Sequence, residues 1–137
     1  MKAYYIYIVI FNTLFITTTS CQKMPDAADS ANFPVLQWEH NSFDFGEVPA
    51  GKKVIHEYKF KNTGSLPLVI SNVLVTCGCT VPEWPKTPIP PRKTGVIRIF
   101  FNSSGKSGMQ NKTITILTNS KAGRETAMFS ANVVSGK

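Results

Sequence analysis

Lys52–Asn62, KKVIHEYKFKN, decides the fold. Val54, His56, Tyr58 and Phe60 recur at every second position, while Glu57, Lys59 and Lys61 fall between them. Side chains of a strand point alternately to its two faces, so this period of two marks a half-buried strand. Working outward, Val35–Trp38 reads as a short strand. Phe43–Val48 alternates and turns at Pro49-Ala50-Gly51. Beyond the turn at Asn62-Thr63-Gly64-Ser65, Leu66–Thr76 reads as one long strand, and its Ser71-Asn72 interruption predicts a bulge. Val96–Phe101, VIRIFF, is apolar on both sides except at Arg98 and reads as central. Asn111–Thr118 follows with Ile114 and Ile116 inward. Thr126–Val134 closes with Ala127, Phe129, Ala131 and Val133 on one face. About seven short strands separated by turn chemistry predict an all-β, antiparallel β-sandwich over residues 33–137.

Between the long strand and VIRIFF lies Val75–Gly95, VTCGCTVPEWPKTPIPPRKTG, with five of the chain's nine prolines. Proline has no N–H and a fixed φ, so this density fits neither a helix interior nor a central strand. The segment reads as a Cys-Gly-Cys corner followed by a stiff extended loop. Loops on a rigid scaffold carry contacts, which makes Thr80, Glu83, Trp84 and Lys86 candidates for a partner-binding loop. Trp84 reads first as a lid over the corner.

Cys77 and Cys79 admit three readings. They are a structural pair, a redox pair, or two soft ligands for copper or zinc with His56, His40 or Met109 as the third. In a straight strand, residues two apart stand about 6.5–7 Å from each other, against a Cβ separation of roughly 3.8 Å in a disulfide. A bridge therefore needs a kink, for which Gly78 offers backbone freedom. The Cys-x-x-Cys of thiol oxidoreductases is absent from the sequence.

Catalytic patterns are missing as well. Acidic residues are spread singly, there is no Gly-x-Ser-x-Gly, and Phe100 occupies the first glycine position of the phosphate-loop-like Gly105-Lys106-Ser107. The reading is non-enzymatic, with no cofactor. The formal charge of +7 comes from scattered Lys and Arg without interleaved aromatics, which argues against nucleic acid. These cations read as solvated surface, with anionic head groups or acidic glycans as a second use.

At the start, Lys2 precedes an apolar run, Ala3–Ile16, too short for a comfortable membrane span and followed by small polar residues. Thr18-Thr19-Ser20-Cys21 resembles the lipobox of bacterial lipoproteins. It predicts a signal peptide over residues 1–20, lipidation of Cys21 and a flexible tether over residues 21–32. Such a chain would be an outer-membrane lipoprotein of the bacterial cell envelope, periplasmic or surface-exposed. Asp29-Ser30-Ala31 resembles a short O-glycan acceptor of the Bacteroidetes and makes Ser30 a candidate for O-glycosylation.

Several of these marks together resemble the bacterial domain-of-unknown-function (DUF) 1573 family. They are FDFG with Gly51 after it, the K-x-x-N-T-G turn at Lys59–Gly64, and CGCT at Cys77–Thr80. PIPP at Pro88–Pro91 and a hairpin from Gly108 complete the set. Pro90-Pro91-Arg92-Lys93 departs from the commoner Pro-Gly-Lys/Glu there. The resemblance implies an immunoglobulin-like sandwich, often on lipoproteins, and no established activity. The expectation is an envelope module that binds or scaffolds. Its partners would be the membrane, through the anchor, and a protein or glycan, reached by end loops or by an edge strand that accepts another chain's strand.

Overall fold

The computed structural model describes residues 32–135. The signal, Cys21, Ser30 and all of the tether but its last residue lie outside the described residues. The strands are β1 (Leu36–Trp38), β2 (Ser42–Pro49), β3 (Lys53–Asn62), β4 (Ile70–Val75), β5 (Thr80–Glu83), β6 (Thr94–Asn102), β7 (Gly108–Thr118) and β8 (Arg124–Val134). They form two four-stranded sheets, ordered β1-β3-β6-β5 and β2-β8-β7-β4. Among the described residues no helix is long and apolar enough to cross a membrane.

The alternation places the core as expected. Tyr58, Phe60, Ile97, Ile99 and Phe101 from one sheet are buried against Ile114, Ile116, Ala127, Phe129 and Ala131 from the other. Tyr58 Oη spans the two layers and donates to the Met128 carbonyl at 2.7 Å. Burial pushes the Tyr58 phenol above its ordinary pKa, so it stays a donor. The strands and the apolar core fall between Leu36 and Val134, so this span closes its own interior.

Three departures from the sequence reading have physical causes. First, β2 lies parallel to β8, although the other strand pairs are antiparallel. The chain changes sheet between β2 and β3, so β2 takes the last strand as its neighbour. Second, the long strand over Leu66–Thr76 is split. Leu68 bridges to Ile89, and from Ile70 the chain pairs with β7 in the opposite sheet. The register shift between Ile70 and Asn72 is the bulge that Ser71-Asn72 predicts, and it lies just after the change of sheet. Third, the proline-rich stretch is not all loop, because β5 pairs with β6. Asn102 N donates to the Cys79 carbonyl at 2.9 Å. That phase gives the ladder bonds to Val81 and Glu83 and turns Pro82 to the open edge, where no N–H is needed.

One end of the sandwich, its base, is tied together by Asn62. This buried side chain accepts from Val35 N and Gly64 N and donates to the carbonyls of Leu66 and Ile89. Gly64 is required there, since a Cβ would strike the Phe33 carbonyl oxygen and the backbone of Pro34 and Val35. Gly95 leaves room for the face of Phe60.

Candidate functional site

The Cys-Gly-Cys corner joins β4 to β5 at the end opposite the base. Cys77 and Cys79 form a disulfide with 5.3 Å between their Cα atoms, shorter than a straight strand allows. The freedom expected of Gly78 is not what permits this. Its φ is not positive, and a Cβ there would meet nothing within 4 Å. The closing contacts come from Thr80, whose N–H donates to the Cys77 carbonyl at 3.2 Å. Thr80 Oγ1 lies 3.7 Å from Cys77 Sγ and 3.9 Å from Cys79 Sγ.

That geometry corrects the contact loop. Thr80 is buried beneath the disulfide and cannot meet a partner, whereas Glu83 and Lys86 are exposed. Trp84 is half-buried, packs on the core, and carries the Lys86 ammonium 3.1 Å from its ring centroid. Its indole N–H is buried and finds no hydrogen-bond partner among the described residues. Trp84 covers the flank of the sheet beside Val96 and Arg98, away from the corner. Nor do Thr76–Lys93 gather at one end. Cys79 meets Asn102 at the corner end, while Arg92 N donates to the Asn62 carbonyl at the base, 2.7 Å away.

The third ligands proposed for a metal do not converge on the sulfurs. His56 pairs across β3–β6 with Ile99, three positions along from the Lys53–Asn102 row that adjoins Cys79. Its imidazole stacks on Phe43 at 3.7 Å and packs edge-on to Phe45 and Tyr58. Burial lowers the His56 pKa, and the Glu57 carboxylate opposes that shift. His40 shares a depression with His56, and Met109 is exposed on β7. Among the described residues no group of three or more His, Cys, Asp or Glu side chains is placed to hold a metal ion. With both sulfurs in a disulfide, neither is a thiolate ligand.

What the corner does adjoin is an apolar row on the outer face of its sheet. Ile55, Phe100 and Val81 are direct cross-strand neighbours on β3, β6 and β5. Ile55 and Val81 are each 57% exposed, and Phe100 lies half-buried between them. The next row is Glu57, Arg98 and Glu83, in which Arg98 Nε donates to Glu57 Oε1 at 2.7 Å. That ion pair holds the Glu57 carboxyl below its ordinary pKa. On the other side, Lys53, Asn102 and Cys79 border a depression of about 390 Å³ that also takes in Val81 and Phe100. Sequence reasoning missed this row. The signal was present in VIRIFF, apolar on both sides, and in Ile55, the apolar residue on the polar side of β3.

The β5 edge is a poor acceptor for a foreign strand. It has four residues, Pro82 lacks a donor, and the Thr80 N–H is engaged by Cys77. The edge-strand mode therefore has no purchase at this corner.

Comparisons with known proteins agree with the architecture. The family described as "Protein of unknown function (DUF1573)" matches residues 36–133. No curated protein sequence matches the chain. A protein of unknown function from Porphyromonas gingivalis W83 is similar in structure, with a TM-score of 0.66 and 19% identity over 78% of this chain and 50% of that one. The PapD-like domain 7 of human CEP192 aligns with a TM-score of 0.60 and 10% identity, covering 88% of this chain and 98% of the domain. The secreted serine protease VesC of Vibrio cholerae aligns with a TM-score of 0.56 and 16% identity, over 72% of this chain but 23% of the protease. This chain thus spans half or less of the bacterial proteins in that set. At such identities the likeness is one of fold, an immunoglobulin-like, PapD-like sandwich.

Proposed function

This chain belongs to the DUF1573 family, a family of unknown function, and from that footing we propose that it is a non-enzymatic binding or scaffolding module of the bacterial envelope. Its partner is a protein that seats on the outer face of the β3–β6–β5 sheet. The observation that carries this reading is the exposed Ile55–Phe100–Val81 row beside the disulfide corner. Apolar side chains at the centre, with charged and amide groups around them, are the composition of a protein interface: a dry middle and a polar rim. The rim here is Lys53 and Asn102 on one side and Glu57, Arg98 and Glu83 on the other. The disulfide holds the end of β5 in register with β6, so the row is presented on a rigid frame.

Acylation of Cys21 would hold the module at a membrane surface, which is the natural use of a tether in front of a closed domain. Loss of fatty-acid-analogue labelling in Cys21→Ala is the expected result, and persistent labelling of that variant would refute the anchor. For the binding face, crosslinking in intact cells should give a protein adduct with the native chain. Ile55→Lys with Val81→Lys should remove it while leaving the melting temperature unchanged. An adduct that survives both substitutions would contradict the assignment.

A further inference from the structure

We infer that the base of the sandwich is a second contact surface, one that lies on anionic lipid head groups. This rests on the anchor reading for its orientation but not for its chemistry. The base is made of residues 33–36, 62–69, 88–94 and 117–124, brought together by the Asn62 bonds, the Leu68–Ile89 bridge and the Leu117–Arg124 pair. These segments contain Arg92, Lys93, Lys121 and Arg124 and no carboxylate. The acids closest in the chain are Glu125, which follows Arg124 directly and is half-buried, Glu39 just past β1, and Asp26 and Asp29 in the segment ahead of Phe33. Phe33, Leu66 and Val69 are exposed among these cations. The Lys121 ammonium lies 5.8 Å from the Phe33 ring centroid, which joins the β7–β8 turn to the point where the chain enters. Basic groups around short apolar side chains are the chemistry that a negatively charged bilayer surface receives.

Two further observations favour lipid as the occupant. The chain enters the domain at the base, where the Phe33 carbonyl accepts from Ser65 N, and Asn32 follows Cys21 by only eleven residues. Eleven residues span at most about 40 Å when fully extended, close to the roughly 35 Å length of an eleven-residue strand such as β7. An acylated Cys21 therefore holds the point of entry at Phe33 within about 40 Å of the bilayer, so the base is the end joined most directly to it. Arg92, moreover, holds a left-handed backbone with φ 65° in the turn closed by Lys93 N on the Pro90 carbonyl. A glycine would occupy that position without strain, so the chain carries a cation where its backbone would be better served by none.

The test is flotation of residues 32–137, the span that closes its own core, with phosphatidylcholine vesicles with and without phosphatidylglycerol. Each Lys or Arg at an anionic surface is worth roughly a fivefold gain in partitioning. Arg92→Gly with Lys93→Gln should therefore lower binding to the anionic vesicles by about 25-fold. The same variant should melt no lower than the native domain, because the glycine relaxes the turn. Lys52→Gln with Lys106→Gln, at the opposite end, should leave binding intact, and added salt should abolish it. Absence of binding to anionic vesicles overturns the proposal. So do equal binding to both vesicle types, equal loss in the two double variants, and binding to heparin alone. The anchor is judged separately by labelling at Cys21, so failure of either reading is visible on its own.

Discussion

Asn62 uses all four hydrogen-bonding positions of its amide in a site closed to water. Asn62→Ala leaves two N–H groups and two carbonyls without that partner, and we expect a loss of about 3–5 kcal/mol in urea unfolding. Asn62→Asp should be worse at neutral pH, since it cannot donate to Leu66 and Ile89 and buries a charge. A loss under about 1 kcal/mol would mean that water replaces the amide. His56 gives a pH prediction. Its pKa is lowered by burial, so the fold favours the neutral ring. The stability this contributes is complete above the ordinary value of 6.5 and is lost as pH falls through the lowered one. The melting temperature should drop between neutral and mildly acidic pH, and His56→Gln should flatten that drop. An unchanged slope in His56→Gln would assign the effect elsewhere. The sequence marked both residues only in part. His56 falls on the inward face of an alternating strand, but Asn62 reads as a turn residue, because its partner Ile89 is 27 positions away.

At the scale of elements, alternation was legible wherever one face is buried and the other wet, as in β3, β7 and β8. It was not legible where the chain changes sheets. Leu66–Thr76 has the composition of one strand, and only the pairing of Leu68 with Ile89 and of Ile70 with Thr118 reveals two halves. The strand β5 hid behind Pro82, since composition cannot tell whether a proline faces a neighbour or an open edge. The Cys77–Cys79 link is one of three readings that the sequence leaves open, while its support by Thr80 is not visible in the sequence. A loop this small restrains the unfolded chain modestly, so reduction should cost roughly 1.5 kcal/mol and leave the sandwich folded. Circular dichroism melting with and without reductant measures this. Unfolding on reduction would show that the link organises the whole domain.

For the whole molecule, two surfaces divide the work. On the proposed reading the base, with its cations and the incoming chain, would face the membrane, and the Ile55–Phe100–Val81 row on the β3–β6–β5 sheet would face a partner. The outer face of the other sheet also exposes Leu74, Met109 and Met128, but these pair with Thr115, Asn132 and Thr113 respectively, so among the described residues that face has no apolar row spanning three strands. The two faces can therefore be compared within one protein. A photo-crosslinking side chain is placed at Val81 or, on the opposite face, at Thr113, and cells carrying each variant are irradiated. A discrete protein adduct should form from position 81 and none from position 113. Equal adducts from both positions, or an adduct from position 113 alone, would contradict that expectation.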